Sequence, residues 1–166
     1  LIQLETIDSE AFVWHRLSTV ELRFGTSKEA LQAAEKANST VEGRSPFGML
    51  AQLANCQIRE KLYPEADTTI QKLNRYYSNQ RSDIRLGLEC RLEVERGRYA
   101  KALSLISKIR DASTPVYLSM KRDALTGILD TVLADADRMV YKTELSLLNK
   151  QLTDFDDTGA WLTLLQ

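Results

Sequence analysis

A chain of 166 residues is long enough for one ordinary domain, and 43% hydrophobic with 27% charged residues sets it in the globular range and excludes a disordered chain. Its 22 basic and 23 acidic residues give a net charge of -1, so no global basic field draws in nucleic acid or an anionic membrane. No apolar run nears the roughly 18–20 residues that cross a bilayer, and the amino end LIQLETIDSE has neither a basic n-region nor a cleavage signal.

Strand signals are weak: there is no Asn-Gly or Asp-Gly turn and no sustained apolar alternation. Helix signals are dense. The first helix is expected over about 9–24, ending at Gly25, because a left-handed terminal residue is cheap only for glycine. Thr26 with Glu29 forms a capping box for the second, about 27–40. The link VEGRS, Val41 to Ser45, leads to a third helix at about 46–61, where Ser45 offers an N-cap hydroxyl before Pro46. Within it Leu50, Leu53, Ala54 and Ile58 recur at three- and four-residue steps. A fourth follows at about 64–77 and a fifth at about 82–97, the latter carrying Leu86, Cys90 and Val94 and ending at Gly97. A sixth spans about 99–110, and Thr114-Pro115 opens a seventh at about 115–136. The last two are expected at about 139–153 and 157–165. Links of two or three residues inside each pair force antiparallel packing, with Tyr63 and Tyr99 filling the elbows.

Three of these pairs share one phase. GTSKEAL, KLYPEAD and GRYAKAL carry Ala30, Ala66 and Ala102, which stand 36 and again 36 residues apart. Such a period marks units too small to bury their own apolar faces alone. The first unit presents Trp14, Leu17, Ser18, Gly25, Ala30, Ala34 and Ala37; the second Leu50, Leu53, Ala54, Tyr63, Ala66 and Ile70, with Lys61 where glycine is expected; the third Leu86, Cys90, Gly97, Tyr99, Ala102 and Ile106. This pattern resembles the tetratricopeptide repeat family over about residues 9–110. It departs from the family in its period, 36 against 34, in Glu89 at a leucine position, and in Leu73 and Ile109 at small positions.

The resemblance implies an all-α fold of antiparallel helix-turn-helix repeats stacked as a right-handed superhelix. The expected organisation is a single domain over 1–166, with repeats at about 9–44, 45–80 and 81–113 and a divergent helical pair and cap over 114–166. Small residues Ser18, Ala54 and Cys90 would face Ala30, Ala66 and Ala102, letting helix axes approach to about 8–10 Å. Trp14 reads as a packing residue, and Trp161 as part of a cap or an interface. Leu1 in place of Met is expected of a segment of a longer chain.

Residues for chemistry are scarce. His15 is the one histidine, so neither H-E-x-x-H nor a histidine-rich metal site can be built. The glycines form no phosphate loop. Asp135 and Asp137 do not share a helix face, and Asp154, Asp156 and Asp157 lack the calcium-loop pattern. Cys56 and Cys90 have no C-x-x-C partner and are expected to be buried thiols in a reducing, cytoplasmic compartment. No catalytic residue, metal or cofactor is expected.

In tetratricopeptide-like proteins the first helix of each pair lines a concave groove. Carried over position by position, that groove takes His15, Arg16, Thr19 and Arg23 from the first unit, Ala51, Gln52, Asn55 and Arg59 from the second, and Gly87, Leu88, Arg91 and Glu95 from the third. Thr19, Ile84 and Leu88 stand where the family's carboxylate clamp wants other residues, so a chaperone-tail clamp is disfavoured. Arg16, Arg23, Arg59 and Arg91 suit an acidic protein or peptide segment. The first expectation is thus a non-enzymatic adaptor or scaffold. Two others stay open: a sensor or assembly arm of a larger regulatory ATPase or signalling protein, and nucleic-acid binding through Arg75, Arg81 and Arg85 with Tyr76 and Tyr77, which acidic Asp83 and Glu89 oppose. The carboxyl-terminal helices are a candidate surface for self-association.

Overall fold

The computed structural model describes residues 9–41, 43–78, 82–131 and 135–157. Among them all regular structure is helical: α1 (Ser9–Phe24), α2 (Ser27–Thr40), α3 (Phe47–Arg59), α4 (Tyr63–Tyr76), α5 (Ser82–Glu95), α6 (Tyr99–Ile106), α7 (Pro115–Leu129) and α8 (Asp135–Asp157). The chain divides into two compact units, Leu1–Leu88 and Glu89–Gln166, with the boundary inside α5. In the first unit α1 packs on α2, α2 on α3 and α3 on α4, and α1 also touches α3. In the second, α6 packs on α7 and α7 on α8.

The 36-residue period is visible in the turns. Lys61, just past α3, has φ 61°, and Gly97, just past α5, has φ 73°. Around the first, Lys61 N–H donates to Ile58 O at 3.0 Å and Leu62 N–H to Gln57 O at 2.9 Å. Around the second, Gly97 N–H donates to Val94 O at 2.9 Å and Arg98 N–H to Glu93 O at 2.8 Å. Both are Schellman closures, in which a left-handed residue turns two trailing N–H groups back onto carbonyls that the helix leaves unpaired. Gln57 and Glu93 also match in having buried side chains. Gln57 Oε1 accepts the Thr69 hydroxyl at 2.8 Å. Glu93 Oε1 meets Lys101 at 3.1 Å and Arg96 at 3.4 Å, and its Oε2 lies 3.5 Å from Arg98.

Burial follows the same period. Ser18, Ala54 and Cys90 are fully buried, as are Ala30, Ala66 and Ala102. Ala34, Ile70 and Ile106 are buried too, and so are Ala37, Leu73 and Ile109. Small side chains at the first two sets permit close helix approach, and at the last two Ile70, Leu73, Ile106 and Ile109 fill what remains in the later repeats. In the first unit, Cys56 joins Ala30, Leu31 and Ala34 in one cluster, flanked by Leu22, Leu53 and Leu62. Met49 joins Ala11 and Ala37 in another, with Trp14 against it, as its packing role requires. In the second unit Leu118, Leu125, Leu148 and Leu152 form the core between α7 and α8.

Several helix ends differ from expectation. Gly25 lies outside the left-handed region; the turn is made instead by Thr26, extended at φ -105° and ψ 149°, which caps α2 through its Oγ1. The Thr26 hydroxyl accepts from Glu29 N–H at 3.2 Å and donates to Glu29 Oε2 at 2.9 Å, a local variant of the expected capping box. Pro46, not Ser45, is the N-cap of α3, and Ser45 O accepts the Tyr77 hydroxyl at 2.8 Å. The sixth helix stops at Ile106 because Lys108 and Ile109 donate three residues back, to Leu105 O and Ile106 O, which tightens the chain into a 3₁₀ turn. The seventh stops at Leu129, not near 136: Asp130 N–H bonds Thr126 O, Thr131 N–H turns back to Ile128 O, and α8 starts at Asp135. Beyond residue 157 the expected last helix, with Trp161, lies outside the described residues, as does Arg81.

Candidate functional site

On α1, Phe12, Arg16, Thr19 and Arg23 recur at four, three and four residues and so share one helix face. All four are exposed. One period on, Gly48, Gln52, Asn55 and Arg59 form the same face of α3, with Gly48 and Arg59 exposed and the other two half-buried. Side chains of α3 reach back to α1 along this surface. Gln52 Nε2 donates to Ser18 Oγ at 3.2 Å, and Arg59 donates to Leu22 O at 3.2 Å. The two faces are thereby held side by side, with arginine at the same position of each, Arg23 and Arg59.

The cations on α1 are steadied by its own aromatics. The Arg16 guanidinium lies 6.0 Å from the Phe12 ring centroid and that of Arg23 5.5 Å from Phe24, arrangements in which the ring face attracts the charge. Thr19 turns inward along the helix, donating to His15 O at 3.1 Å. His15 sits half-buried behind this face, its Nδ1 buried without a hydrogen-bond partner. Burial, and then the neighbouring Arg16 charge, push its pKa below the usual 6.5, so the ring is neutral at neutral pH. Ala51 is half-buried alongside.

The equivalents in α5 are placed differently. Gly87 and Leu88 are buried, so Leu88 serves packing. Arg91 and Glu95 line a cleft of about 270 Å³ in the second unit, with Val94 and with Val116, Ser119, Met120 and Asp123 of α7. One cation and two carboxylates meet there. Phe12 was not among the expected residues, although its four-residue step to Arg16 was the signal that sets it on the same helix face.

The basic and aromatic run is largely engaged in the fold. Tyr77 bonds Ser45 O and meets Phe47 edge-on at 5.6 Å between centroids. Arg85 donates to Asn74 Oδ1 at 3.1 Å and to Ser78 O at 2.8 Å. Tyr76 carries Arg44 over its ring at 5.1 Å, beside a cleft of about 370 Å³ that Gly43, Ser45, Leu50 and Lys72 also line.

Burial pushes the thiols of both cysteines up, that of Cys90 to about 12. Both are therefore protonated at neutral pH. Among the described residues no group of three or more His, Cys, Asp or Glu side chains converges in a way that holds a metal ion, and no helix is long and apolar enough to cross a membrane. No family model, curated protein or solved structure matches the chain.

Proposed function

We propose that the chain is a tetratricopeptide-like adaptor that binds an acidic segment of a partner protein across the paired faces of α1 and α3, without catalysing a reaction on it. The observation that carries this reading is the exposure of Arg23 and Arg59 at one repeat position, 36 residues apart, while the residues packed behind them are buried. Two arginines at repeat spacing offer forked donors for successive carboxylates. Phe12 and the methylene stems of the arginines add apolar surface for the segment's other side chains. In this reading stacked helix pairs with superhelical twist supply the groove, and the chain works in a reducing, cytoplasmic compartment, where Cys56 and Cys90 stay thiols. The test is titration of labelled peptides rich in Asp and Glu, with basic peptides as controls, against the chain and against an Arg23→Ala/Arg59→Ala variant. Saturable binding of an acidic peptide that the variant loses supports the adaptor reading.

A further inference from the structure

α1 carries a second face, which adjoins the first at Phe24, the ring beneath Arg23. Val13, Leu17, Val20 and Phe24 recur at four, three and four residues and are 61%, 39%, 51% and 78% exposed. One period on, the same positions of α3 and its C-cap are Met49, Leu53, Cys56 and Glu60, and these are what dock α3 on the preceding helix pair. Met49 clusters with Ala37, Cys56 with Ala30 and Ala34, Leu53 packs against that cluster, and Glu60 accepts the Ser27 hydroxyl. The stripe on α1 thus continues an established helix-docking interface, in a more apolar version.

Its flanks indicate what covers it. The stripe has the alternating three- and four-residue spacing of a two-helix seam, with Arg16 on one flank and Glu21 on the other, five residues on. When two such helices pack in parallel, flanking residues five apart meet across the seam, so Arg16 faces Glu21 twice; an antiparallel pair sets each flank against itself and opposes like charges. We propose that this face is a dimer seam, in which α1 of a second copy runs parallel against it about a two-fold axis, Val13, Leu17, Val20 and Phe24 packing on their counterparts and Arg16 pairing with Glu21. A seam confined to one 16-residue helix is small, so the dimer dissociates on dilution.

Sedimentation of the 166-residue chain over a wide concentration range tests this, with dichroism to check that each variant keeps its helix content. The expected result is a monomer–dimer equilibrium that Val20→Glu abolishes. Arg16→Glu and Glu21→Arg should each weaken it about tenfold or more, and the double reversal should recover wild-type association to within about threefold. A single-chain mass at every concentration overturns the proposal. So does a dimer indifferent to Val20→Glu, which would place the contact elsewhere, such as on exposed Met139, Val140 and Leu147 of α8. A double reversal no better than the single ones overturns the parallel pairing. Should a charge variant unfold, cysteine replacement decides: under mild oxidation Val20→Cys should link two copies and Thr19→Cys should not, while equal linking by both contradicts the seam.

Discussion

Lys61 and Gly97 occupy the same place in successive repeats, both left-handed, each closing its helix with the same pair of backbone hydrogen bonds. Only one of them suits the conformation. A side chain held at positive φ crowds the following carbonyl and costs about 1–2 kcal/mol, which glycine avoids. Lys61→Gly is therefore expected to raise stability by about 1 kcal/mol, and Gly97→Ala to lower it by a similar amount. Urea denaturation of both variants checks this, and equal signs for the two would contradict the shared turn.

Ala66 and Ala102 are fully buried at equivalent positions. Replacing either by Leu forces bulk into a contact that is closed on the far side, and overpacking of this kind costs about 1–3 kcal/mol. A melting temperature unchanged in both variants would argue against the ladder.

The sequence showed the period, the small-residue ladder and the starts of α1 to α7 to within one residue because each has a local cause: Ala at a close approach, Gly at a left-handed turn, Thr at a cap. Where the cause is tertiary, the sequence reading went astray. Ser45 looked like a cap, but the Tyr77 hydroxyl holds its carbonyl from 32 residues away. The misreading of Gly25 has a local cause instead: Thr26, extended and capping α2, makes that turn. In the candidate groove, Arg16, Arg23 and Arg59 are exposed. The burial of Leu88 was not legible, since its side-chain type suits either a groove or a core, and only packing decides between them.

His15 sets a pH dependence. Its folded pKa lies below 6.5 through burial and the Arg16 charge, so as pH falls through 6.5 the unfolded chain takes up the proton first. Stability from this residue is present above that pH and is lost on acidification, until the folded ring also protonates. His15→Gln should reduce the drop in urea midpoint between pH 8 and pH 5. An undiminished drop would show that carboxylates alone carry it.

Gly127 lies under the Tyr99 ring: a Cβ there would stand 2.2 Å from the nearest ring carbon. Gly127→Ala gains about 1 kcal/mol of helix propensity but displaces the ring, at about 1–3 kcal/mol, so a net loss is expected. In a Tyr99→Ala background the same change should become stabilising. A double-mutant cycle by denaturation reads this reversal directly, and additive effects would deny the contact.

The adaptor reading rests on Arg23 and Arg59, and one titration tests it most directly. Fluorescence anisotropy of an acidic peptide against the chain should give saturable binding that weakens as salt is raised, because screening reduces exposed charge contacts. Arg23→Ala/Arg59→Ala should fold normally, since exposed substitutions change stability little. It should bind about 30–150-fold more weakly, as expected for losing two charge-assisted contacts worth about 2–3 kcal/mol together. Binding of equal strength by wild type and variant, or no acidic peptide bound at any salt concentration, would contradict the account.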